Sequence, residues 1–205
     1  MEFYEVLKAR HTVRRFTGEA IEDAVLHRIL QAGLYAPSND HLRQWEFVVI
    51  RGKENIARVL GKVTEQGKMQ QELLKSRPLT ESQQKMYDHA MPNQYRMLSD
   101  SGCLILPFFR QNADVLHPAA LQHLNSFASI WCCIENILLA AAAEGLGCSL
   151  RIPVGEEWQF VAKEVGAPEG YLLPCYLGLG HPDPTETLPR QHPVSLEEKL
   201  HLEQW

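Results

Sequence analysis

Residues 10–16 read Arg10-His11-Thr12-Val13-Arg14-Arg15-Phe16. Three guanidiniums, an imidazole and a hydroxyl fall within six positions of a chain whose formal net charge is -5. A guanidinium offers a planar fork of donors that matches phosphate oxygens two at a time, and a threonine hydroxyl adds a short donor beside it. In an extended backbone Thr12 and Arg14 share one face, while His11, Val13 and Arg15 take the other. Arg10, Thr12 and Arg14 can then hold one phosphate. A basic run by itself is more often a solvated turn, so the weight falls on its flanks.

Before the run, Phe3, Val6 and Leu7 recur at helical spacing, which predicts a short amphipathic helix over residues 2–10. After it, Ile21, Val25, Ile29, Leu30 and Leu34 form one stripe, a second helix over Glu22–Tyr35 that Gly33 and Pro37 bring to an end. Next comes the polar loop Ala36-Pro37-Ser38-Asn39-Asp40-His41-Leu42-Arg43-Gln44-Trp45, leading into a strand at Glu46–Ile50. A donor-rich loop before a buried strand suits a ligand. It equally suits a turn in which Ser38 and Asn39 cap backbone groups.

Together, the basic segment, the single helix, Ala-Pro-Ser and the Trp that opens a strand resemble the flavin-dependent nitroreductase family. Further motifs carry the likeness over most of the chain. Phe127–Ala143 resembles the family's long central helix, and Gly145-Leu146-Gly147-Cys148 the turn that ends it. Glu169-Gly170-Tyr171 with Leu177-Gly178-Leu179-Gly180-His181-Pro182 resembles the last sheet strand, and Pro189-Arg190 the terminal phosphate-binding element. The resemblance implies an α+β fold, a three-layer sandwich with a central, mostly antiparallel sheet flanked by helices, in an intertwined homodimer with FMN at the interface. It implies NADH or NADPH as hydride donor and a nitro compound or quinone as small-molecule acceptor. A deiodinase-like reductive dehalogenase and a flavin binder without turnover are the alternatives.

By the same resemblance the phosphate falls to Arg10, Thr12, Arg14 and Arg190, with His11 also among the cofactor-binding residues. Pro37, Ser38, Asn39, His41 and Arg43 come from the partner chain, and backbone groups at Arg151 and Ile152 face the flavin from the other side. The flavin carries the redox chemistry, so no catalytic side chain is expected. Asn136 reads as a core or capping amide. The chain departs from the family loop, which usually has Asn and then Gln-Pro where His41, Arg43 and Gln44 stand. It also has Leu188 where a lysine is common.

The length of 205 residues fits one domain, and 45% hydrophobic with 22% charged residues fits a soluble globular protein. Net negative charge argues against a general nucleic-acid or anionic-membrane binder. Five cysteines without a CxxC pair, and no signal peptide, point to a reducing cytoplasm. Nine histidines without HExxH or metal spacing give no metal site. Gly-x-Ser-x-Gly, a Walker lysine and a dinucleotide fingerprint are absent.

Thr64–Asp100, polar and cut by Pro78 and Pro92, reads as a lid-like helical excursion. Cys103–Leu106 reads as a buried strand broken at Pro107. Leu124–Gly145 is a helix apolar nearly all round, which a partner subunit would cover. Its apolar run, around Ile130–Ala143, is too short and too polar to span a membrane. Cys132 and Cys133 both read as core. A strand at Ser149–Ile152, a helix at Glu156–Val165 and a strand at Leu172–Leu177 follow. In the tail, residues 183–205, Ser195 and Glu198 predict a capping box for a last short helix. Its apolar residues would pack on the partner.

Overall fold

The computed structural model describes residues 2–63, 77–187 and 193–205. Its centre is strand β2, Cys103–Arg110, buried from Cys103 through Phe109. A strand apolar at seven consecutive positions must be covered on both faces. Its odd residues Cys103, Ile105 and Phe109 join one core; its even residues Leu104, Leu106 and Phe108 join another. That alternation makes three layers, helix, sheet and helix.

The sheet order is β1-β2-β5-β3, with β1 at Trp45–Ile50, β3 at Gly147–Arg151 and β5 at Tyr176–Gly180; β4, Tyr171–Leu172, also pairs with β2. Every ladder among them is antiparallel. One face carries helices α2, Asp23–Leu34, and α6, Asn125–Ala143, with α1, Phe3–Ala9, against α6. The other carries α3, Lys53–Val59, α5, Arg96–Ser99, and α7, Glu157–Val165. Helix α4, Glu81–Ala90, buries no side chain and begins at a capping box between Thr80 and Gln83. α6 ends in a Schellman turn, with Gly145 at φ +76° and the Leu146 N–H donating to the Ala141 carbonyl at 2.8 Å. That turn reverses the chain directly into β3.

Several expectations need correcting. Pro107 does not break β2. The Arg110 N–H donates to Gln44 across the β1 ladder, so even residues aim their backbone groups at β1. Pro107, being odd, turns its missing N–H the other way, into the gap between β4 and β5, where no ladder bond is forfeited. The strand expected at Leu172–Leu177 is two strands, interrupted over Leu173-Pro174-Cys175. The last short helix is only a turn: the Glu197 N–H, rather than a Glu198 capping box, engages Ser195 Oγ. Helix α3 was missed, although Ile56, Val59 and Leu60 recur at helical spacing. Cys133 is core but Cys132 is exposed. Finally, α6 with the 3-10 turn before it spans Leu121–Ala143 at mean hydropathy 1.6, long and apolar enough by length and composition to cross a bilayer. Its packing on α2, β2 and β3 places it in the core instead.

Candidate functional site

The basic segment lies along the free edge of β3. Thr12 bridges Cys148 in parallel, and the Val13 N–H donates to the Cys148 carbonyl at 2.9 Å. On the other side the Thr17 N–H donates to His181, and the Asp183 N–H donates to Arg15. Val13 is buried over Gly147, where a Cβ would meet its Cγ2 at 2.5 Å. The segment is therefore pinned at both ends, and the two-face alternation holds only in part. His11 is exposed, its Nδ1 2.8 Å from the Ala9 carbonyl, whereas Arg14 and Arg15 are both half-buried.

The cations differ in partners. Arg10 Nε is 3.5 Å from Glu135, and Arg15 Nη2 is 3.5 Å from Asp183. Arg14 makes no ion pair of its own among the described residues; burial pulls its pKa below the ordinary arginine value, and nearby Glu186 opposes that. The Nε atoms of Arg14 and Arg15 are buried and have no hydrogen-bond partner among the described residues. Arg190 lies outside the described residues.

The loop between α2 and β1 is strained. Asp40, His41 and Arg43 all have positive φ, at 50°, 53° and 45°. Each such residue costs about 1–2 kcal/mol, so something must hold the loop. The Arg43 N–H donates to Ser38 Oγ at 3.2 Å, and the Asn39 N–H donates to Ser129 Oγ at 2.9 Å. Asn125 donates to Asn39 Oδ1 at 3.2 Å. Ser38 thus serves the loop's own backbone and Asn39 ties the loop to α6, while Pro37, His41 and Arg43 are exposed. Arg43 has no ion pair with Asp40 or Glu46. A small pocket behind the loop is lined by Ser38, Asn39, Gln44, Trp45 and Ser126.

A model described as the Nitroreductase family matches residues 7–181. This chain belongs to the nitroreductase family. An iodotyrosine deiodinase from Thermotoga neapolitana is 25% identical over 93% of this chain and 95% of its own length. Among solved structures, a mutant FMN- and NADPH-dependent nitroreductase from Sphigopyxis sp. strain HMH superposes with a TM-score of 0.75 at 21% identity, covering 100% of both chains. An FMN-dependent nitroreductase from Clostridium difficile R20291 gives 0.71 at 20% identity, over 98% of each chain. At these identities the structures establish the nitroreductase fold.

Within that fold the side chain of Arg151 turns inward. It forms a fully buried bidentate pair with Glu157, Nη2 to Oε1 at 2.7 Å, and Glu157 Oε2 also accepts from the Val154 N–H at 3.2 Å. Only the backbone at Arg151, and the exposed Ile152, can face a ligand. Asn136 donates to the Ala32 carbonyl at 3.1 Å and is a structural amide. Sequence reasoning missed Glu157, His89 and Glu186. Glu186 sits in the Pro-rich stretch after β5, where a lone acid carries no periodic signal.

Proposed function

We propose that this nitroreductase-family oxidoreductase binds FMN and passes reducing equivalents from NADH or NADPH to an electron-poor organic acceptor, a nitro compound or quinone. Arg14 carries the reading. A guanidinium held half-buried at a cost in hydration, with a buried N–H left unpaired among the described residues, suits an anion arriving from solution. Arg10 and Thr12 on the same segment complete a donor set for a phosphomonoester. His11 and Arg190 would add to it.

FMN, when bound, accepts and donates the hydride. The chain's own residues then have three tasks. The pinned basic segment fixes the phosphate. Backbone groups at Arg151 and Ile152 border the ring on one side. From a second subunit, Pro37, Ser38, Asn39, His41 and Arg43 would border it on the other, on a loop already held in one conformation. This reading makes the protein an intertwined homodimer, with residues 183–205 packing on the partner and the 64–100 segment, of which 64–76 lie outside the described residues, covering the site. Five free thiols fit a reducing cytoplasm.

The test is a spectrum of the purified protein, with flavin affinity measured for Arg14→Glu, Arg190→Glu and Arg51→Glu. A yellow protein is expected, with the first two variants weakened about thirty- to several-hundred-fold and the third unchanged. A colourless protein that takes up no FMN overturns the reading. Steady-state NAD(P)H oxidation with an acceptor separates an enzyme from a flavin binder without turnover. A second reading, reductive dehalogenation, is favoured by the full-length deiodinase relative and by His41 at the family's asparagine position. Turnover of an iodinated phenol but not of a nitroarene would establish it.

A further inference from the structure

Glu186 is 6% exposed in its side chain although it follows the last strand. A turn explains this: the Thr185 N–H and Oγ1 both bond Asp183 Oδ1, at 2.9 and 2.7 Å, and the Glu186 N–H donates to the Asp183 carbonyl at 3.1 Å. The turn folds Glu186 back onto the basic segment. Its Oε2 accepts from two consecutive N–H groups, Arg14 at 3.4 Å and Arg15 at 3.3 Å. Its Oε1 lies 3.6 Å from His89 Nε2, in the last turn of α4. Glu186 Oε1 is buried without a hydrogen-bond partner among the described residues, and so are atoms of the three residues it touches: Arg14 Nε, Arg15 Nε and His89 Nδ1. Buried polar groups in native proteins are usually satisfied. At 3.6 Å the His89–Glu186 contact is just beyond hydrogen-bond length.

We propose that Glu186 is a positioning residue that holds the Arg14–Arg15 backbone with one carboxylate oxygen and docks helix α4 through His89 with the other, coupling cover closure to phosphate binding. The inference rests on the phosphate reading of Arg14. The segment is pinned at both ends, and an anion gripped by Arg14 removes the freedom it keeps between them, so the carboxylate is already fixed when His89 reaches it. Docking α4 then costs less ordering entropy. By reciprocity, removing His89 weakens phosphate binding by the same factor that phosphate binding favours docking. Helix α4 buries no residue fully; Met86, Tyr87 and Ala90 are half-buried beside His89.

Riboflavin lacks the phosphate and isolates its effect. Amide hydrogen exchange over residues 81–90 is measured without flavin, with riboflavin and with FMN, in the parent protein, H89A and R14E. FMN should slow exchange in α4 severalfold beyond riboflavin in the parent, and H89A should erase that difference. H89A should also weaken FMN by the matching factor while leaving riboflavin affinity unchanged. E186A, which loses both N–H contacts, should weaken FMN about tenfold. H89A lies on a helix without core residues, so its folding is not at issue. Equal protection by both flavins in the parent, or FMN-specific protection that survives H89A, overturns the coupling. If R14E keeps the preference for FMN over riboflavin, the phosphate reading itself fails, a result the H89A comparison alone cannot produce.

Discussion

The buried pair between Arg151 and Glu157 is the most demanding residue-level feature of the chain. Both side chains are at most 1% exposed, and the guanidinium carbon lies 5.8 Å from the ring centroid of Tyr176. Burial raises the Tyr176 phenol well above its ordinary pKa, and Glu157 adds to the effect, so the ring stays neutral beside the pair. Removing one ion would strand the other in the core. Glu157→Ala should therefore cost about 3–5 kcal/mol, whereas Arg151→Met with Glu157→Leu should recover most of it. Chemical denaturation decides this: equal midpoints for the parent and Glu157→Ala would show the pair to be energetically idle. The buried thiols tell the same story of desolvation. Cys103 is pushed up to about 11, and Cys133 and Cys148 to about 12, which leaves them as protonated core hydrophobes at neutral pH.

At the scale of elements, the contact of β3 with the basic segment positions the phosphate donors. Gly147 lets Val13 approach so closely that a Cβ would meet Val13 Cβ at 2.8 Å and Cγ2 at 2.5 Å. Neither partner is a flexible side-chain end, so the segment itself must move. Gly147→Ala should destabilise the fold by about 1–3 kcal/mol. It should also weaken FMN more than riboflavin, because Val13 lies between Thr12 and Arg14. A thermal shift without any change in that preference would show that the segment relaxes without disturbing its donors. A similar close approach joins α2 to α6, where a Cβ on Gly33 would lie 2.8 Å from Ile137 Cγ1.

For the whole molecule, much apolar surface is uncovered in a single chain. Phe3, Tyr4 and Leu7 of α1 are exposed, as are Leu202 and Trp205 of the tail. On α6, Asn125, Ala128, Cys132 and Glu135 fall at helical spacing along one exposed strip, flanked by half-buried Trp131, Leu138 and Leu139. Patches of this extent usually meet a partner. In the proposed homodimer Cys132 lies at the interface, and its alkylation should slow as protein concentration rises through the dimerisation range. A rate independent of concentration, with a monomer in ultracentrifugation, counts against that dimer.

Much of this architecture was written in the sequence. The stripe of α2, the nearly all-round apolar α6, the apolar run of β2 and the basic segment followed by Ala-Pro-Ser are local patterns, legible without knowledge of neighbours. Pro107 was misread because a proline's tolerance depends on which side of the strand lacks a ladder, and that is set by the break at Leu173–Cys175, 66 residues or more away. The Arg151 side chain finds its partner only because α7 places Glu157 beside it. Glu186 and His89 are single residues in polar stretches, brought to one carboxylate by a turn and a surface helix that no sequence period announces. Composition and period could set the layers because they depend on burial along each element. The partners of individual charges depend on which elements meet, and only the tertiary structure decides that.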